Sequence, residues 1–255
     1  MGITHAFVSS KDQGTDETKV SKDEWNADHA GDFVAPAADA GTVVIPGLTG
    51  SPDVMPASPS SYDDEFDTTD SSDPITGWTT LGSFTALTSN VVPSHLRMYT
   101  SSSTSYNVNG IYKAIPSMPF TVTAKLTDYL HNANYQHIGI MLTEASPGKL
   151  FLYGPCSHTG HSFWTTFMYF VWNSRTSRSS TYSEPDGPYR KPYIRLIVAS
   201  STDVTTQCSE DGLVWVTKSA NVNPGFTIGN VGLFTTANEI GSIPIEVVVD
   251  WIRFT

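Results

Sequence analysis

Imidazole, thiol and aromatic groups are where this sequence could do chemistry. The seven histidines are His5, His29, His95, His131, His137, His158 and His161. None lies beside a Gly-x-Ser-x-Gly elbow of the kind that presents a serine nucleophile. The run Cys156-Ser157-His158-Thr159-Gly160-His161 sets a soft ligand near two imidazoles. A zinc site needs a second ligand pair, and Cys208 alone does not supply it, so a polar loop between strands is expected there. Cys156 and Cys208 are expected as free thiols, in keeping with a reducing compartment. Stacking chemistry is better provided for. Along Ser162–Asn173, Trp164, Met168, Phe170 and Trp172 share one strand parity, while Phe163, Phe167, Tyr169 and Val171 share the other. One parity must pack a core, and the other needs a ligand, a loop or another subunit as cover. In Tyr193–Val198, Ile194 and Leu196 are expected inward, with Tyr193 and Arg195 outward. Trp164, Trp172, Tyr193 and Arg195 are therefore read as one face for a glycan or a subunit, with the polar stretch Asn173–Ser180 as its rim.

Those side chains need strands to hold them. From residue 84 onward, a dozen candidate strands rich in Val, Ile, Thr and aromatics run from 84–89 to 244–254, broken by Gly, Pro, Asn or Ser. No segment longer than ten residues has a convincing helical period, so an all-β, two-sheet antiparallel sandwich is predicted over 62–255. Residues 1–61 differ. Three prolines within Pro52–Pro59 forbid a ladder or helix there, because proline lacks the amide donor, and an extended arm and linker is predicted. Charge divides the same way. The 255 residues carry a net charge of −11. In 1–65, three lysines face twelve acids, a net of −9, which leaves −2 for the rest. With no basic run, nucleic-acid binding through phosphates is not expected. No window has the ~18 apolar residues of a membrane span, and the N-terminus lacks the apolar core of a signal peptide.

Asp64-Glu65-Phe66-Asp67, Trp78, the hairpin Cys208-Ser209-Glu210-Asp211-Gly212-Leu213-Val214-Trp215, Val231-Gly232-Leu233 and Asp250-Trp251-Ile252-Arg253-Phe254 follow in that order. Together they resemble the concanavalin A-like lectin/glucanase jelly roll, in particular the C-terminal accessory domain of β-xylosidases. The resemblance implies a structural Ca²⁺ tying the first and last strands, with Asp64, Glu65, Asp67 and Asp250 at the matching ends and hard oxygen ligands suited to that ion. Glucanases of this superfamily use two carboxylates on one strand face. A retaining pair must stand about 5–5.5 Å apart. Glu246 and Asp250 come nearest and share a strand face, but at roughly 3.3 Å per residue they lie about 13 Å apart. No catalytic residue is assigned, and a non-enzymatic protein is expected.

The arm has a resemblance of its own. His5-Ala6, Gly14-Thr15-Asp16, Thr18-Lys19-Val20 and Glu24-Trp25-Asn26-Ala27-Asp28-His29 are similar to the N-terminal segment of tailed-bacteriophage structural proteins. This implies docking on other virion proteins through Phe7, Trp25, Asn26, Asp28 and His29. The expected protein is thus a virion component assembled in the bacterial cytoplasm, homo-oligomeric, with a lectin-like domain for host-surface glycans or subunit contact. Tail-fibre or tail-tip placement is favoured. A capsid decoration protein, or a free glycan-binding or glycan-processing protein, is the alternative.

Overall fold

The computed structural model describes residues 59–66, 75–88, 95–100, 107–130, 136–158, 164–182, 191–237 and 244–255. The docking residues assigned to the arm (Phe7, Trp25, Asn26, Asp28 and His29) and Asp67 lie outside them. The described residues belong to one compact unit, Pro56–Thr255. They contain fourteen strands and no helix, as alternation and turn chemistry predicted.

Strands are numbered along the chain. One seven-stranded sheet, here the first, runs in the order β1 (Thr79–Leu81), β4 (Asn107–Ala114), β13 (Asn230–Ala237), β6 (His137–Thr143), β7 (Leu150–His158), β8 (Trp164–Ser174), β9 (Ser177–Tyr182). The second runs β12 (Val216–Val222), β11 (Asp203–Ser209), β10 (Tyr193–Ser200), β5 (Phe120–Leu130), β14 (Ile245–Phe254), β3 (Leu96–Thr100), β2 (Ala86–Thr88). Every neighbouring pair is antiparallel.

Side chains alternate across a strand, so each sheet sends one set inward. Ile138, Ile140, Phe151, Tyr153, Phe167 and Leu233 from the first sheet meet Val122, Leu126, Ile194, Leu196, Val247 and Ile252 from the second in a continuous buried core. Burying each such side chain is worth about 1.5–3 kcal/mol.

The opposite parity of the first sheet is apolar too. Val108, Met141, Leu150, Leu152, Met168, Phe170, Trp172 and Phe234 form a second buried cluster. Phe234 is in register with Gly110 on one side and Gly139 on the other. A side chain at Gly139 (φ +143°) would drive into the Tyr153 carbonyl of β7, so only glycine allows β6 and β7 to approach here. The His137 ring meets Phe234 edge-on at 4.8 Å and Phe170 at 5.2 Å.

The outer parity of the second sheet is of another kind, and a bulge shapes it. Ile245, Val247 and Val249 of β14 point inward, the pairing with β5 shifts around Val249–Trp251, and Ile252 and Phe254 then point inward. The inserted residue resets the alternation and turns Trp251 and Arg253 outward. Asn173–Ser180, predicted as a polar rim loop, is instead a tight turn at Arg175-Thr176 joining β8 to β9. Ser and Thr are compatible with a paired edge strand, which composition alone did not reveal.

Candidate functional site

On β10, Arg195 is outward between the core residues Ile194 and Leu196, as its position in the alternation required. Its neighbour in register on β11 is Gln207, whose neighbour on β12 is Thr217. The three side chains form a row across three strands. Arg195 Nε donates to Gln207 Oε1 at 2.7 Å, and Gln207 Nε2 donates to Thr217 Oγ1 at 2.9 Å. The Arg195 guanidinium lies 3.9 Å from the ring centre of Trp215, the residue immediately before β12. A guanidinium over an indole face is held by the ring quadrupole. Burial lowers the Arg195 pKa from its ordinary value.

The β11–β12 turn is built to hold Trp215 in place. Gly212 takes φ +71°, a conformation glycine adopts freely. Asp211 Oδ1 accepts the Leu213 and Val214 amides, both at 2.8 Å, and Ser209 Oγ accepts the Gly212 amide at 2.8 Å. The amides from Val214 and Leu213 hold the Asp211 carboxyl below its usual range. This turn leaves Leu213, Val214 and Val216 exposed at 62%, 70% and 41%. It also puts Trp215, itself partly exposed, at the open edge of the sheet.

Two further arginines line this outer face, and both are neutralised. Arg97 donates to Glu246 through Nε at 2.6 Å and Nη2 at 3.0 Å, with Tyr99 beneath it at 5.0 Å. The hydrogen bond to Glu246 holds the Arg97 guanidinium above its ordinary pKa. Arg253 donates to Glu65 at 2.7 and 2.9 Å, over Trp251 at 4.2 Å. Between them Lys125 Nζ lies 2.9 Å from Asp250, and Tyr193 lies 6.0 Å from Trp251.

The four residues read as one binding face are divided by the fold. Trp172 belongs to the outer cluster of the first sheet and is buried at 3% exposure. Trp164 begins β8 on that same sheet. Tyr193 and Arg195 are on the outer face of the second sheet, with the core between them and Trp172. Tyr193 is itself buried, so Arg195 alone of the four lies in the shelf described above. The physical reason is that β8 and β10, although close in sequence, enter different sheets, and parity along a strand cannot report which sheet that strand joins.

Of the carboxylates proposed for calcium, Asp67 lies outside the described residues, and Asp64, Glu65 and Asp250 each have a protein partner. Asp64 pairs its backbone with Ile252, and its carboxylate accepts Trp78 Nε1 at 2.6 Å and the Phe66 amide at 2.9 Å. Glu65 is engaged by Arg253, and Asp250 by Lys125 with His95 at 3.6 Å. Among the described residues no group of three or more His, Cys, Asp or Glu is placed to hold a metal. The segment Tyr62–Glu65 is tied to β14 and β4 by protein groups. Asp63 accepts the Phe254 amide at 2.7 Å, and Lys113 Nζ donates to the Tyr62 carbonyl at 2.6 Å while sitting 4.1 Å from the Trp78 ring. Burial lowers the Lys113 pKa, and Asp64 and Asp63 oppose that shift.

Both cysteines are free and buried. Cys156 lies in the outer cluster and Cys208 in the core, and burial pushes the Cys156 thiol far up. Sequence reasoning missed Trp215, Gln207 and Thr217 as site residues, although the Ser-x-Asp-Gly-x-x-Trp hairpin was visible. Its turn geometry was the available signal.

No protein-family model and no curated protein matches this chain. Solved structures do. The chain is similar to the GH43 protein BlXynB from Bacillus licheniformis, at 15% identity and TM-score 0.57, covering 85% of this chain and 44% of that one. It is similar to a xylan beta-1,4-xylosidase from Bacillus halodurans, at 16% identity and TM-score 0.56, covering 80% and 41%. The chain shares their jelly-roll fold. It spans less than half the length of either. A functionally unknown protein from Saccharomyces cerevisiae matches at 15% identity and TM-score 0.52, covering 70% of this chain and 96% of that one. These likenesses correct the expectation of a protein without catalytic role. A GH43 protein and a xylosidase contain this fold as less than half of their length, so the architecture gives no ground for setting enzyme activity aside.

Proposed function

We propose that the chain is a structural protein of a tailed-phage virion whose jelly roll contacts host-surface glycans through the Trp215–Arg195 shelf. One observation carries the glycan half. An indole, a guanidinium, an amide and a hydroxyl stand in a preorganised row beside an exposed sheet edge. Apolar rings flanked by a few fixed polar groups suit a polyhydroxylated ring, which offers both C–H and O–H surfaces. That a relative in fold is by name a xylosidase is in keeping with a carbohydrate partner. The virion half is supported by the likeness of the arm, with Glu24-Trp25-Asn26-Ala27-Asp28-His29, to phage structural proteins. Tail-fibre or tail-tip placement is the favoured form and head decoration the alternative. Copy number per particle separates them, because a head protein is present in far more copies than a tail protein.

The test is a glycan array probed with the full chain and with Trp215→Ala. Truncating a central aromatic contact costs about 2 kcal/mol or more, so the variant should lose tenfold or more in affinity for whatever the wild type binds. Equal binding by both would remove the shelf from the account. Deleting residues 2–30 should abolish incorporation into particles, and normal incorporation would remove the docking role.

A second reading is favoured by the exposed Leu213 and Val214 of the β11–β12 turn and Val216 at the start of β12, the last strand of its sheet among the described residues. A strand edge left without a partner among the described residues, beside an exposed apolar turn, is a template for a second copy of the chain. Light scattering of wild type and Val214→Lys would separate a dimer from a monomer.

A further inference from the structure

The outer face of the second sheet repeats one arrangement, and one of its copies is incomplete. Arg97 lies over Tyr99 and grips Glu246 with two hydrogen bonds. Arg253 lies over Trp251 and grips Glu65 with two. Each unit is therefore an aromatic ring, a guanidinium and a carboxylate. Arg195 lies over Trp215, nearer than either of the others, yet no carboxylate among the described residues meets it. Its Nε is committed to Gln207. Of its five N–H donors, those on Nη1 and Nη2 have no acceptor among the described residues. A partly buried cation without a counter-charge is costly, and the cost is recovered when an anion arrives.

Resting on the glycan reading above, we infer that the third carboxylate comes from the ligand: the shelf selects a sugar carrying a carboxylate, a uronic-acid unit of an acidic polysaccharide. The sugar ring packs on Trp215 and the rim at Leu213–Val214. Its carboxylate takes the Nη1/Nη2 end of the guanidinium, where planar fork and planar carboxylate match. The jelly roll, residues 62–255, carries a net charge of −5, so an acidic ligand must be held by the local guanidinium and not by the field of the whole domain. Recognition through one charge is also screened by salt, so affinity should fall as ionic strength rises.

The test is affinity electrophoresis of the full chain in gels containing polygalacturonate, its methyl ester or dextran sulfate. Wild type should be retarded at least tenfold more strongly by polygalacturonate than by the ester. Arg195→Gln should lose that preference. Arg195→Lys, which keeps charge without the fork, should retain only part of it. Thermal melts identify any variant that fails to fold, and removing Arg195 strands no carboxylate among the described residues. Equal binding to acid and ester, or a preference that survives Arg195→Gln, overturns the inference and leaves the glycan reading standing. Stronger retention by dextran sulfate overturns the assignment to carboxylate. Binding only to neutral glycans on the array overturns this inference alone, and binding to no glycan at all overturns both.

Discussion

The two outer faces of the sandwich use the same alternation for different ends. On the first sheet the outward parity is Met, Leu, Phe and Trp, and it is as buried as the core. On the second it is Arg, Lys, Glu, Asp, Gln and Thr set among Tyr and Trp rings. A strand that is apolar on both parities announces a second packing layer, whereas one that is apolar on one parity and cationic–aromatic on the other announces a surface with chemistry. β8 is the first kind and β10 the second. Stability should therefore be concentrated on the first face and specificity on the second.

Substitutions can break that division, and they differ in size. Trp172→Ala removes the large ring from the outer cluster and should cost about 3–5 kcal/mol, read as a lower urea midpoint with an unchanged m-value. A loss below 1 kcal/mol would mean the outer cluster is not a packing layer. On the other face Glu65→Gln leaves the buried Arg253 with a weaker partner. Loss of hydrogen bonds to a charged group should cost about 1.5–3 kcal/mol in the same assay. Glu246→Gln weakens a more exposed pair, worth about 0.2–1 kcal/mol. The smallest expected effect is that of a chelator. With Asp64, Glu65 and Asp250 already held by Trp78, Arg253 and Lys125, EDTA should leave Tm unchanged, and a clear drop would restore the calcium site.

Much of this fold was legible because alternation is a local property. Ile194 and Leu196 inward with Arg195 outward, and Phe167 and Val171 opposite Met168 and Trp172, all follow from a period of two. The division of Trp172 from Arg195 was not legible, because sheet membership depends on strand pairings far apart in sequence. Nor was the row Arg195–Gln207–Thr217, whose register is fixed by the Asp211-Gly212 turn and by shifts between β11 and β12. The β14 bulge hid Arg253 in the same way. One inserted residue reversed the parity that a plain reading of Glu246 and Asp250 assumes. Composition also hid β9, since Ser-Arg-Ser-Ser-Thr-Tyr reads as loop until β8 is there to pair with it.

The central claim is that ligand contact belongs to the second sheet's outer face. The most direct measurement is calorimetric affinity for the tightest array glycan, taken side by side on wild type, Trp215→Ala and Trp172→Phe. The account predicts a loss of tenfold or more for Trp215→Ala and unchanged affinity for a folded Trp172→Phe. The opposite pattern, with Trp172→Phe losing affinity and Trp215→Ala keeping it, would place the contact on the first sheet and contradict the account.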